Sequence, residues 1–97
     1  MVTLPFDTNR LIEICRQNDA TRIGVFGSMA RGEATAQSDI DLLVEFSKRK
    51  SLLSMVGLER QLAHTLGRKV DLLTEAAISP YLRDRIKREV QVIYEAR

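Results

Sequence analysis

The chain has no tryptophan, one cysteine, one histidine and two prolines in 97 residues. The single cysteine, Cys15, excludes an intrachain disulfide and fits a reducing compartment. One histidine and one cysteine cannot make a His/Cys zinc centre. Aromatic side chains are only 5% of the sequence, too few for a platform that stacks the bases of a single strand. No apolar run approaches the roughly 20 residues that cross a bilayer. Neither sign of charge dominates: 15 basic against 13 acidic side chains leave +2, which gives no bulk attraction for nucleic acid. Neither a membrane nor direct nucleic-acid binding is expected. The first ten residues, MVTLPFDTNR, have no basic start and no long apolar core, so no secretory leader is expected and the default location is cytoplasmic.

What is present is an ordinary globular composition, 44% apolar and 29% charged. The length suits one domain, residues 1–97, with a single small core.

The pattern of elements is close-set, without repeats or linkers. Residues 7–18 read as a helix capped by Asp7 or Thr8, with Leu11, Ile12, Ile14 and Cys15 on its apolar face. RIGVF, 22–26, is a short apolar strand, followed by GSMARGE, a tight turn with a short helical segment. SDIDLLVEF, 38–46, alternates: Ile40, Leu42, Val44 and Phe46 face one way, and Asp39, Asp41, Leu43 and Glu45 the other. A basic loop, KRK at 48–50, precedes a helix over 51–66 with Leu52, Met55, Val56, Leu62, Ala63 and Leu66 as its stripe. Gly67 stands where a left-handed cap is expected. KVDLL, 69–73, is a third strand. Ser79 as N-cap and Pro80 in the first turn open a third helix, and VQVIY, 90–94, can form a fourth strand. Strands alternating with helices imply an α/β (α+β) fold, a sheet with helices packed on it.

Asp39 and Asp41 are two apart in a strand, so they project to the same face roughly 6–7 Å apart. Asp71 has the same setting between Val70 and Leu72. If strand 69–73 pairs beside strand 38–46, three carboxylates converge. Two unit charges at about 6 Å repel by roughly 3 kcal/mol at an effective dielectric near 20. Either one carboxyl keeps its proton or a cation joins them. An all-oxygen set favours Mg2+ or Mn2+. An isolated pair of aspartates is more often structural, paired with an arginine; what lies upstream changes that balance.

Gly27-Ser28 follows a strand directly and precedes a helical segment. Such a turn offers backbone N–H groups and a hydroxyl to an anion. Gly27 has no side chain to obstruct a phosphate, Arg31 sits one turn on to meet phosphate oxygens, and Gly32 lets the chain turn out again.

The run GSMARGEATAQSDIDLLVEF, with Gly27-Ser28, Asp39, Asp41 and then Asp71 on a separate strand, resembles the DNA polymerase β-like nucleotidyltransferase superfamily. Within it the run is similar to the minimal nucleotidyltransferases, the antitoxin members of HEPN/MNT toxin–antitoxin pairs. The resemblance spans nearly the whole chain. It implies a short mixed sheet flanked by helices. It implies transfer of AMP from ATP, or of another nucleotide from its NTP, to a hydroxyl, tyrosine being favoured, of a HEPN ribonuclease toxin. By the same resemblance, Asp39, Asp41 and Asp71 are the catalytic and metal-binding residues. They would hold two Mg2+ ions, with Mn2+ as the alternative, and Asp71 would help deprotonate the acceptor. Gly27, Ser28 and Arg31 would be the nucleotide-binding residues. Larger relatives append a domain that builds the acceptor site. The expectation here is that a partner protein or a second copy supplies it, as a homo- or hetero-oligomer. Two other functions stay open: an antitoxin that acts by occlusion alone, and a transferase acting on a small-molecule alcohol.

Other conspicuous residues have plainer readings. His64 suits a helix surface, Glu45 a solvated strand end, KRK a solvated loop that could also guide a nucleotide or an acidic partner, and Cys15 a buried small hydrophobe. The charges of the last helix, Arg83, Arg85, Lys87 and Arg88 with Asp84 and Glu89, suit a solvated face.

Overall fold

Capping and alternation set the elements. The computed structural model describes residues 4–96. Helix α1 (Thr8–Gln17) begins where the Asp7 carboxylate accepts the Arg10 N–H at 3.0 Å. Strand β1 (Ala20–Phe26) starts two residues before the expected 22–26, and α2 (Ser28–Arg31) is the short helical segment after it. Strand β2 (Ile40–Phe46) leaves Ser38 and Asp39 in the preceding loop, outside the expected strand. Helix α3 (Leu52–Leu66) is capped by the Ser51 hydroxyl, which accepts the Ser54 N–H at 3.1 Å, and ends at Gly67 with φ 70°. Strand β3 (Val70–Leu73), a 3-10 turn (Glu75–Ala77), α4 (Pro80–Glu89) and β4 (Gln91–Glu95) complete the order.

Ser79 stands at the N-cap of α4 with Pro80 in the first turn, as expected, although the serine hydroxyl makes no capping bond; its carbonyl accepts the Leu82 and Arg83 N–H groups at 2.9 and 3.1 Å. One expectation about these helices needs correction. Leu52 does not belong to the buried stripe of α3. It is 82% exposed, because the first turn of α3 borders an open groove and not the sheet. The stripe centres on Leu58 and Leu62, with Met55, Ala63 and Leu66 packed against the core.

The sheet runs β3-β2-β1-β4, with β2 and β3 parallel and the other pairs antiparallel. A parallel pair needs a crossover, and α3 is that crossover. Ile40, Leu42 and Val44 are fully buried against α1 and α3. Each such side chain contributes about 1.5–3 kcal/mol. A slip of one residue would carry Asp41 into that core and the three apolar residues out, so the register is strongly held. The other face carries a smaller cluster, in which Ile78, Ile86 and Val90 cover Phe26, Leu43 and Leu73. Here the link between α4 and β4 comes so close that a Cβ on Gly24 would overlap Val90 Cγ2. The result is an α+β fold with a four-stranded mixed sheet flanked by helices. No helix among the described residues is long and apolar enough to cross a membrane.

Candidate functional site

The pairing of three strands assembles the site. In the β1–β2 register Phe26 stands opposite Asp41, and in the β2–β3 register Asp41 stands opposite Asp71. Asp41 and Asp71 thus sit side by side on the face away from the main core. The turn at Gly27 follows β1 directly and lies against Asp41. Gly27 has φ 72° and ψ −151°, a region essentially reserved for glycine. A Cβ there would also overlap Asp41 Oδ2. The glycine is therefore required twice, by its backbone and by the neighbouring carboxylate.

Burial, then the Asp71 charge, a hydrogen bond between the two carboxyls and the Asp39 charge push Asp41 up to about 6; Arg31 acts in the opposite direction. This is the conflict foreseen for crowded carboxylates, and it makes Asp41 hold its proton to a higher pH than an ordinary aspartate does. The third aspartate does not complete a cage. Asp39 precedes β2 and its Oδ2 lies 3.9 Å from Lys69 Nζ. Among the described residues, no three His, Cys, Asp or Glu side chains are gathered tightly enough to hold a metal ion. Convergence is thus realised for Asp41 and Asp71, with Asp39 at their margin. The donor set still fits a hard divalent cation: it is all carboxylate, and the charge crowding at Asp41 is what a cation relieves.

Arg31 has partners that the sequence reading did not foresee. Its Nε donates to Glu33 Oε1 at 2.6 Å and its Nη1 to Glu89 Oε1 at 2.9 Å. Both carboxylates stabilise the guanidinium charge. The same Glu89 oxygen accepts the Gly27 N–H at 2.6 Å. One of the amides expected to face an anion is therefore already taken by a side chain of α4. Ser28 is half-buried at the start of α2.

Arg68 is a second residue that the sequence reading passed over. Its Nη1 donates to the carbonyls of Thr35 and Ser38, at 2.9 and 3.3 Å. It thereby pins the loop that delivers Asp39. The loop is tightened further by the Thr35 N–H to Ser38 Oγ bond, 2.8 Å, and by the Ile40 N–H to Lys69 carbonyl bond, 2.9 Å. Strand β3 is held on its open edge by Glu59, whose Oε2 accepts the Leu72 N–H at 2.7 Å. A carboxylate at a helix C-terminus opposes the helix dipole, but neither for Glu89 nor for Arg68 does the sequence name the partners, which lie far away in the chain.

The remaining candidates lie apart. His64 is exposed on α3, and Glu45 is exposed and 3.7 Å from Arg22. Lys50 of the KRK loop bonds Asp19 Oδ2 at 2.8 Å, at the far end of β2 from Asp41, so this loop does not border the aspartates. A groove of about 840 Å³ lies at that far end, between Phe46, Lys48, Met55 and Thr74. It is lined by none of Asp39, Asp41 and Asp71.

The sequence and the fold of this chain match known proteins. Residues 8–93 match the family model described as nucleotidyltransferase domain. A relative from Methanocaldococcus jannaschii is 46% identical over 80 residues, 82% of this chain and 86% of its own length. A protein adenylyltransferase, MntA, of Thermococcus cleftensis is 44% identical over 68 residues, 70% of this chain and 69% of its own. Among solved structures, a toxin–antitoxin crystal structure with AMP-PNP superposes with a TM-score of 0.81 at 25% identity, over 92% of this chain and 73% of that one.

Proposed function

The chain belongs to the nucleotidyltransferase domain family, and on that premise we propose that it transfers AMP from ATP to a hydroxyl of a HEPN-type toxin and so acts as its antitoxin. The observation that carries this reading is the Asp41–Asp71 pair lying against the Gly27–Ser28 turn. A nucleotidyl transfer uses carboxylates close to a phosphate-holding turn, and the closeness of Asp41 to Gly27 supports the reading. Further support comes from the relatives: one is named a protein adenylyltransferase, and a structural neighbour is a toxin–antitoxin with AMP-PNP.

In this reading, Asp39, Asp41 and Asp71 hold Mg2+, two ions, with Mn2+ as the substitute. Such ions would supply Lewis-acid stabilisation of the charge that develops in the displacement. The protein supplies the rest. The Ser28 hydroxyl and the backbone N–H groups of Ser28 and Met29 would hold the triphosphate, and the missing side chain of Gly27 would let it approach. Asp71 takes the proton of the acceptor hydroxyl. The acceptor oxygen bonds to the α-phosphorus, the bond from that phosphorus to the bridging oxygen breaks, and pyrophosphate leaves. Tyrosine is the proposed acceptor, in a cytoplasmic complex in which the toxin completes the site around a single domain of residues 1–97.

The test is mass spectrometry of the partner after incubation with ATP and Mg2+. The expected result is one or more AMP additions on a hydroxyl side chain, greatly reduced with the Asp71→Asn variant. A partner that is inhibited in a stoichiometric complex yet stays unmodified would replace this reading with occlusion.

A further inference from the structure

Glu89 is the last residue of α4, and its side chain is only 16% exposed. A single oxygen, Oε1, accepts both the Gly27 N–H at 2.6 Å and Arg31 Nη1 at 2.9 Å. One atom therefore ties three elements together: the end of α4, the first residue of the turn and the end of α2. The location is unfavourable for a carboxylate in its own helix, because the C-terminal end of α4 carries negative partial charge. Its two donors come from elsewhere in the fold, 62 and 58 residues away in sequence.

The tie acts on a crowded point. Gly27 lies close against Asp41, since a Cβ there would overlap Asp41 Oδ2. Its N–H is held by Glu89. The turn thus meets a carboxylate of β2 and a carboxylate of α4, and Ser28 follows from it directly. We infer that Glu89 is a positioning residue: it holds the Gly27–Ser28 turn at a set distance from Asp41, so that the triphosphate is seated correctly over the carboxylates. This rests on the nucleotidyl-transfer reading above. It assigns the last turn of α4 a part in nucleotide affinity, although α4 contributes none of the proposed catalytic groups.

The test uses the full chain with Glu89→Ala and Glu89→Gln. The first readout needs no nucleotide: hydrogen exchange of the Gly27 amide, followed by NMR. Glu89→Ala should speed it at least tenfold, while the amides of Ile23 and Val25 in β1 keep their rates. Glu89→Gln keeps an amide oxygen for the Gly27 N–H and should stay within threefold of the parent. The second readout is titration with AMP-PNP in Mg2+, together with KM and kcat for AMP transfer. Glu89→Ala should weaken AMP-PNP binding and raise KM for ATP about tenfold, with kcat changed less than threefold; Glu89→Gln should restore most of the loss. A merely structural role would lower the melting temperature and the active fraction at unchanged KM, and would overturn the inference. So would tighter AMP-PNP binding in Glu89→Ala, which would make Glu89 an occupant of the phosphate seat. Unchanged Gly27 exchange would remove the tie itself, whatever the nucleotide results. A parent protein that neither binds AMP-PNP nor transfers AMP would overturn the nucleotidyl-transfer reading, and the positioning role with it.

Discussion

Asp41 and Asp71 are direct register partners on the parallel strands β2 and β3, and the pair lies beside Gly27, the residue that follows Phe26 in β1. Two acidic side chains with 29 intervening residues are thereby forced together by backbone pairing. The burial of Leu42 and Leu72 on the opposite face keeps them there.

The crowding has a pH signature. Asp41 titrates at about 6 in the folded chain, against 3.8 for an unperturbed aspartate. A carboxyl raised on folding favours the folded state only while protonated. Its contribution is therefore intact below pH 4 and is lost as pH rises through 6. Asp41→Asn removes the charge without changing the shape. With EDTA present, the variant should match the parent at pH 4 and exceed it at pH 8 by about 1 kcal/mol, a figure reduced for solvent screening of a half-exposed group. Urea denaturation at the two pH values measures the difference.

A divalent cation should reverse that deficit. Adding Mg2+ at pH 8 should raise the melting temperature of the parent chain and leave Asp41→Asn nearly unmoved, because binding to the folded state alone stabilises it by mass action. Equal shifts in both proteins would separate Asp41 from the metal.

Gly27→Ala should be costly to the fold itself. The residue has φ 72° and ψ −151°, and the added Cβ overlaps Asp41 Oδ2. Backbone strain of this kind costs about 1–3 kcal/mol. The expected outcome is a loss of that size in thermal or urea unfolding, together with loss of AMP-PNP binding.

Cys15 should be chemically silent. It is fully buried, and burial pushes its thiol up to about 12. A thiol reagent such as DTNB at pH 8 should leave the native chain unlabelled and label it fully in denaturant, since the thiolate is the reactive form. Rapid labelling of the native protein would show that α1 opens from the sheet.

Arg68→Ala should act on chemistry more than on stability. It removes two bonds to the loop carbonyls of Thr35 and Ser38, just ahead of Asp39. The stability loss should be about 1 kcal/mol. AMP transfer should fall about tenfold as Asp39 loses its fixed place, and a comparison of melting curves with transfer rates separates the two effects.

Local rules were enough for much of this protein. Alternation over Ile40–Phe46 told which side chains face the core and so turned Asp41 outward; the residues Asp7 and Gly67 marked helix ends correctly, because a cap is a contact within one turn of chain. The motif Gly27-Ser28 with Asp39 and Asp41 was legible for the same reason: its spacing lies within one strand–turn–strand unit. The mixed sheet was expected, but its order β3-β2-β1-β4 was not, since strand partners are chosen by the burial of whole faces. That choice brought Asp71 to Asp41 while Asp39 stayed beside Lys69. The exposure of Leu52 and the tie of Glu89 to Gly27 and Arg31 also came only from tertiary structure. An apolar residue at helical spacing is buried only if another element covers it. A carboxylate at a helix end reveals its role only when the donors that compensate it, some 60 residues away in the chain, are folded against it.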